Sequence, residues 1–292
     1  MSTSVVENAG GKPDQKEKKD KAIDVQPDLR KTKKNRAFEL DLLRGFAIFM
    51  MILHHFAYDL RFIFHYDVFA FIGAECDWFW AFLHPFFIFI FVGVSGICCQ
   101  FSRNNFRRAG KLALVAVAFS VVTVAADHFL DLGCAIYFNV LHLLAIATFL
   151  FAIFDHFEQK KTGGRQSRGG DMVLLLIVAL FMWLLHGIPY YEGTIHNKWI
   201  FILGITPHAD SVMTMGDELG MIPWIGVFFL GVLIGRHVYK EKETFFPHTP
   251  KDVLTASRPL EWIGRNSLLV YLIHQPIVLG ILYALDAIGV LP

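Results

Sequence analysis

Seven long apolar runs constrain the fold of this chain more than any other feature. Of its 292 residues 54% are hydrophobic, and its mean hydropathy is +0.46. Because about 20 apolar residues cross a bilayer as one helix, the runs predict an all-α fold, a polytopic bundle of seven transmembrane helices. The predicted spans are residues 37–60, 78–102, 110–126, 137–154, 171–187, 222–239 and 266–287.

The basic residues predict the orientation of this bundle. All of the 27 Lys and Arg residues except Arg61 and Lys198 fall on one side of it. Positive charge favours the cytoplasmic side, so the N-terminus is predicted inside and the C-terminus outside. Residues 1–36 are rich in Lys, Asp and Glu and have no apolar periodicity, which predicts a disordered, basic cytoplasmic tail able to contact anionic membrane lipid. Residues 37–292 then form one transmembrane domain, and the net charge of +1 gives no support for a nucleic-acid partner.

The first apolar run carries four ionisable side chains on one face. At about 100° per residue they lie within roughly 60° of one another, and they extend about 22 Å along the helix axis. Ionisable groups at membrane depth cost roughly 2.5 kcal/mol or more each, and they persist where they face a bundle interior or a polar cavity. The stripe therefore indicates chemistry or transport within the membrane. Its members are Asp41, Arg44, His55 and Asp59.

The two ends of the stripe predict different roles. Asp41 and Arg44 are three residues apart at the inner end and are predicted to form an ion pair, although Arg44 also suits a phosphate ligand. At the outer end His55 and Asp59 share a face, and a carboxylate beside an imidazole raises its basicity, as a general base requires. The alternative is a polar pair that only fixes the helix end. His54 lies off the stripe and is predicted to be a packing or interfacial residue.

Further polar residues fall in the later spans and in the longest external segment. His84, His142 and His274 lie on three different spans, but no tight ligand spacing supports a metal site, and contacts between helices are the simpler prediction. On the last span His274 continues a second polar stripe that includes Tyr271. Asp217 lies in the external segment.

Two cysteines, Cys76 and Cys134, fall on predicted external segments. A disulfide between them is one alternative in an oxidising compartment, and two free thiols are the other.

Five segments, taken in order, resemble the heparan-α-glucosaminide N-acetyltransferase catalytic-domain family, which includes many bacterial membrane proteins. The resemblance extends over residues 37–285. The matching segments are RAFELDLLRGFAIFMMILHHFAYDL, HPFFIFIFVGVSG, FNVLHLLAIA, MIPWIGVFFLGVLIG and PLEWIGRNSLLVYLIHQP.

This resemblance implies an acetyltransferase in the bacterial inner membrane. The acyl donor would be cytosolic acetyl-CoA, and the acceptor would be an amino sugar or another glycan on the far side, with no metal required. N- and O-acylation both stay open, as does the choice between a monomer and a homo-oligomer.

The resemblance also implies roles for individual residues. The family's catalytic His follows the first span, and the nearest candidates here are His55 and His65, with Asp59 to orient the base. Arg44, beside Asp41, would help to bind the CoA phosphates. The remaining candidates would line the substrate cavity, and they are His142, Asp217, Tyr271 and His274.

Two other functions compete with this reading of the polar stripes. A transporter or flippase would use the same residues to line a path without bond chemistry. The sequence shows no inverted repeat and no interrupted helix pair, which disfavours transport. A structural membrane subunit is the third alternative.

Overall fold

The computed structural model describes residues 37–66, 82–131, 133–164, 166–213 and 217–289. Throughout these ranges the regular structure is helical, which agrees with the predicted all-α fold. Two 3₁₀ turns, Lys198–Leu203 and Ala209–Ser211, lie between the fifth and sixth helices. The helices are α1 Phe38–Phe62, α2 His84–Ile97, α3 Asn105–Leu130, α4 Val140–Thr162, α5 Arg168–Tyr191, α6 Trp224–Val238, α7 Lys251–Ala256, α8 Arg258–Arg265 and α9 Ser267–Ala287.

Five of these helices are long and apolar enough to cross a membrane, namely α1, α3, α4, α5 and α9. The second and sixth predicted spans correspond to α2 and α6, which have 14 and 15 residues and are shorter than a typical span. Pro85 occupies the first turn of α2, where its missing N–H costs nothing, and the helix gives way to a turn after Ile97. The seven-span count and the orientation stay predictions. The tail 1–36 lies outside the described residues.

Helices α2 and α6 pack backbone to backbone. A Cβ atom added to Gly231 would collide with the carbonyl oxygen of Gly93, and one added to Gly96 would collide with that of Phe228. Glycine is therefore required at these positions because the two helices approach so closely. This contact makes the two short helices one paired unit.

Helix α1 contacts α2, α8 and α9, while α3 packs on α4 and α5 packs on α6. Helix α5 buries only Gly170, Leu174 and Ile188. A helix that is apolar on every face and so little buried by protein suits contact with lipid.

A buried arginine joins three helices at their predicted inner ends. The Arg236 guanidinium on α6 donates to Glu158 on α4 at 2.9 Å and lies 3.0 Å from Asp171 on α5. Because both partners are anionic, the buried charge is compensated.

The choice between a Cys76–Cys134 disulfide and two free thiols stays a prediction. Cys134 carries a free thiol, and Cys76 lies outside the described residues.

Candidate functional site

A cationic cavity of about 480 Å³ opens at the predicted inner ends of α1, α2, α3 and α9. Among the described residues that line it, five are cations and none is a carboxylate, so the cavity suits an anionic ligand. The cations are Arg44, Arg103, Arg107, Arg108 and Lys111.

Two arginines of this inner cavity are held in place by the last turn of α2 and the turn that follows it. Arg108 donates to the carbonyl oxygen of Ser95 at 3.1 Å and to the sulfur of Cys99 at 3.3 Å. Arg44 donates to the sulfur of Cys98 at 2.9 Å. Both guanidinium groups are thereby fixed at the cavity wall, each with further donors available for a ligand.

The first turn of α3 adds polarity to the same cavity. Its N-cap Asn104 accepts a hydrogen bond from the backbone N–H of Arg107 at 2.9 Å, and both residues line the cavity. The N-terminal end of a helix carries partial positive charge, which reinforces the cations around it.

The predicted ion pair between Asp41 and Arg44 is wrong. Asp41 lies 3.3 Å from Arg265 of α8 instead, and it does not line the inner cavity. The reason is the close packing of α8 on α1, where the backbones meet at Gly45 and Gly264. Arg44 therefore lines the cavity, whereas Asp41 forms an ion pair between α1 and α8.

A second cavity of about 110 Å³ lies toward the predicted outer side, between α1, α2 and the segment before α6. Its lining includes three histidines, His54, His55 and His84, together with Asp217 and Glu218. The outer cavity therefore combines titratable groups with apolar walls, which is the environment of many ligand sites.

Four imidazole rings follow one another at this level of the bundle. Ring centroids are 4.9 Å apart for His84 and His54, 5.4 Å for His54 and His55, and 5.1 Å for His55 and His274. His54 was predicted to be a packing or interfacial residue, yet it lines the cavity. Adjacent helical residues point about 100° apart, so His54 faces α2 while His55 faces α9.

The predicted pairing of Asp59 with His55 is also wrong. The buried Asp59 carboxylate accepts a hydrogen bond from Gln275 of α9 at 2.8 Å. Within the described part of the chain, His55 makes ring contacts with two other histidines and no hydrogen bond. The His55 ring faces α9. The partner of Asp59 is Gln275 instead, a residue that the sequence did not predict for this site.

His65 lies apart from both cavities. It is exposed, three residues beyond the end of α1, with a left-handed backbone at φ 54°. The structure therefore does not bring His65 together with His55.

Tyr271 forms the wall between the two cavities. Its buried hydroxyl donates to Asp217 at 2.7 Å and accepts from Asn139 at 3.0 Å. Tyr271 and Phe91 are the two residues that line both cavities. The two cavities therefore meet at these two side chains.

His142 lies behind this wall and lines neither cavity. Its ring meets the Asn139 side chain at 3.0 Å and the Ser120 hydroxyl at 3.3 Å. Asn139 caps α4 and is fully buried, so His142 reaches Tyr271 only through Asn139.

A family model described as "Heparan-alpha-glucosaminide N-acetyltransferase, catalytic" matches residues 36–276. That match covers most of the chain. The chain belongs to this family. No curated protein and no solved structure matches it significantly. The family assignment and the apolar helices together make this an integral membrane protein of an acetyltransferase family.

In this acetyltransferase-family protein, the surroundings raise the pKa values of the two acids in the outer cavity. Burial raises the pKa of the Asp217 carboxyl, and the hydrogen bond from Tyr271 partly opposes that rise. Burial also raises the pKa of Glu218, with a smaller contribution from the neighbouring Asp217. Perturbed acids beside histidines in a cavity are typical of sites that exchange protons.

Neither cavity gathers a metal-binding set among the described residues. Because His142 points away from the outer cavity, His84, His142 and His274 do not converge. The group with suitable ligand spacing lies elsewhere in the acetyltransferase-family fold, on the loop between α5 and α6.

Proposed function

We propose that this protein transfers an acetyl group from acetyl-CoA in the inner cavity to an acceptor in the outer cavity. The acceptor would offer an amine or a hydroxyl on an amino sugar or another glycan. The observation that carries the proposal is the shared wall, since Phe91 and Tyr271 line both cavities. A thioester at the wall would lie within reach of a nucleophile on the other side.

The inner cavity supports the identity of the donor. The phosphates of CoA are polyanionic, and five cations, with no carboxylate among the described lining residues, offer both long-range attraction and hydrogen-bond donors. Arg108 and Arg44 are the best held of the five, because the end of α2 and the turn after it orient them. The predicted cytoplasmic position of this cavity matches the compartment that supplies acetyl-CoA.

His55 is the base that the geometry favours. The acceptor amine or hydroxyl attacks the thioester carbonyl while His55 takes its proton. The C–S bond then breaks, and the CoA sulfur leaves as a thiolate that recovers the proton from His55. His55 is half-buried in the outer cavity and makes no hydrogen bond within the described residues, so its ring is available to accept a proton.

His274 would support this base from α9. Its ring nitrogen Nδ1 lies 2.7 Å from the carbonyl oxygen of Tyr271, which assigns the proton to Nδ1 because a carbonyl only accepts. Its ring also contacts that of His55. His65 stays the competing base from the sequence, but its exposed position outside the cavity favours His55.

The deciding experiment uses the purified chain in proteoliposomes. Acetyl-CoA labelled in its acetyl group is supplied on one side, and a panel of amino sugars and hydroxylated glycans on the other. Label on a glycan product supports transfer. A glycan that crosses the membrane without acetylation, with acetyl-CoA unconsumed, contradicts it.

Transport is the second candidate, and the same shared wall favours it. Two cavities that open toward opposite sides, separated by a thin layer, also suit a path with alternating access. The panel above separates the two functions, since a transporter moves its substrate unmodified. A purely structural subunit would show neither outcome, and location in a bacterial inner membrane belongs to the proposal as well.

A further inference from the structure

We propose that His196, His208 and Asp210 form a Zn²⁺ site on the loop between α5 and α6. One ligand atom from each residue, two imidazole nitrogens and one carboxylate oxygen, lies within 4.8 Å of the others. The two imidazole rings have centroids 4.2 Å apart, and His208 Nδ1 is 3.3 Å from an Asp210 carboxylate oxygen.

These distances are close to those that a metal would impose. Ligand atoms held about 2.0–2.1 Å from a tetrahedral zinc ion lie roughly 3.3 Å apart. The set must therefore close by no more than about 1.5 Å, which rotation of partly exposed side chains supplies. His196 and Asp210 are exposed and His208 is half-buried, so the ion has an open approach.

Hydrogen bonds already connect the backbone segments that carry the three ligands. The backbone N–H of His208 donates to the carbonyl oxygen of Ile195 at 2.9 Å, which places the two histidine-bearing segments of the loop side by side. The Ser211 hydroxyl donates to the carbonyl oxygen of His196 at 2.9 Å. A third bond, from the backbone N–H of Gly193 to the carbonyl oxygen of Thr206 at 3.0 Å, closes the base of this arrangement. The ligand spacing thus rests on a scaffold of hydrogen bonds.

The donor set selects the class of metal. Imidazole nitrogen suits zinc, copper and nickel, whereas magnesium and calcium prefer oxygen ligands throughout. With three protein ligands at the surface, water would complete a tetrahedral zinc site. The site lies outside both cavities, so it stands independently of the proposed acetyl transfer.

The position of the loop indicates what the ion would do. After the metal-binding residues the chain folds back, and the N–H of Met221 donates to the carbonyl oxygen of Ile202 at 2.8 Å. Asp217, in the outer cavity, belongs to this returning segment. Zinc would cross-link the first half of the loop and so reduce its motion. The returning segment is hydrogen-bonded to this half of the loop, so it would also be held more firmly.

The test is zinc titration by calorimetry on the purified full chain in detergent, after removal of metals with a chelator. We expect saturable binding of one Zn²⁺ per chain. Binding should be lost in His196→Ala and in His208→Ala, and weakened at least tenfold in Asp210→Asn. His186→Ala, an exposed histidine near the end of α5, should bind as the unaltered chain does.

Two further measurements keep the outcome decisive. Zinc should slow proteolytic cleavage of the 193–213 segment in the unaltered chain and leave cleavage of His208→Ala unchanged. His55→Ala should retain full zinc binding, which separates this site from the histidines of the outer cavity. Absence of saturable binding, or binding that survives loss of both His196 and His208 in a monodisperse double variant, would overturn the proposal.

Discussion

The inner cavity measures about 480 Å³ and is ringed by cations, whereas the outer cavity measures about 110 Å³ and is built from histidines, two acids and apolar side chains. Exposed side chains such as Arg103, Arg107 and Lys111 contribute to the first, and half-buried rings contribute to the second. Charge that remains hydrated attracts a polyanion without a large desolvation cost. An imidazole ring can accept a proton at one nitrogen and donate one from the other, so histidines in a small cavity are suited to moving a proton.

The difference in size and charge indicates that the two cavities have different roles. Under the proposed function, the inner cavity would bind the donor, which has a large anionic carrier, and the bonds would change in the outer cavity. Substitutions in the two cavities should therefore affect different kinetic constants.

His55→Ala should have the largest effect on activity. Loss of the base is expected to lower kcat by about 10²–10⁴-fold, with little change in the KM for acetyl-CoA. Initial rates with labelled acetyl-CoA measure both constants. His65→Ala is the matched control and should retain nearly full activity. If His65→Ala is inactive and His55→Ala is active, the base lies outside the outer cavity.

Arg108→Ala should show the opposite pattern. A hydrogen bond to a charged group contributes about 1.5–3 kcal/mol, so the KM for acetyl-CoA is expected to rise about 10- to 100-fold while kcat changes little. Added salt should reduce the difference between the two proteins. Lys161→Ala removes an exposed cation that does not line the cavity and should leave KM unchanged. An unchanged KM in Arg108→Ala would remove the donor from the inner cavity.

Tyr271→Phe tests the wall itself. The substitution keeps the ring but leaves Asn139 and Asp217 without their shared partner, which is expected to cost about 1–3 kcal/mol of stability. Thermal unfolding in detergent measures this loss, and initial rates measure a fall in kcat. Tyr283→Phe, on the exposed face of the same helix, should alter neither quantity. Unaltered stability would show that the hydrogen bonds at the wall are dispensable.

Asp217→Asn should have the smallest effect, visible in the pH dependence of stability. Because burial raises the pKa of Asp217 above 3.8, the folded state holds this proton more tightly than the unfolded state. The resulting stabilisation is fully present below pH 3.8 and is lost as pH rises through the raised pKa. The unfolding temperature of Asp217→Asn should therefore fall less over this range than that of the unaltered chain. Asp252→Asn, at an exposed position on α7, serves as the control and should follow the unaltered chain.

Hydropathy alone was enough to predict the apolar helices α1 to α6 and α9, because a membrane requires long apolar runs and each run here is bounded by polar residues. The short helices α7 and α8 lie in a polar segment and were not predicted. The stripe on α1 likewise marked Arg44 and His55, since one helix face can be worked out from spacing. The partners of these residues could not be derived in the same way. Asp41 meets Arg265 because α8 docks on α1, and Asp59 meets Gln275 because α9 does.

The contacts of Tyr271, which forms the wall between the cavities, could not be predicted from residue spacing for a similar reason. Tyr271 is 132 positions from Asn139 and 54 from Asp217, and only the packing of three separate segments brings them together. The periodicity of apolar residues predicts which residues share a face of one helix, but not which residues of other helices they contact. His54 shows the same limit, since its role depends on His84 of a neighbouring helix.

The shared wall also limits how a family with this architecture can diversify. A substitution at Tyr271 or Phe91 changes the shape of both cavities at once, so a new acceptor preference gained there would disturb the donor as well. Val140 and Leu141 are neighbours in the chain, yet the first lines only the outer cavity and the second only the inner one. New acceptor specificities should therefore accumulate at positions such as Val140 and Met51, while the two residues of the wall vary least.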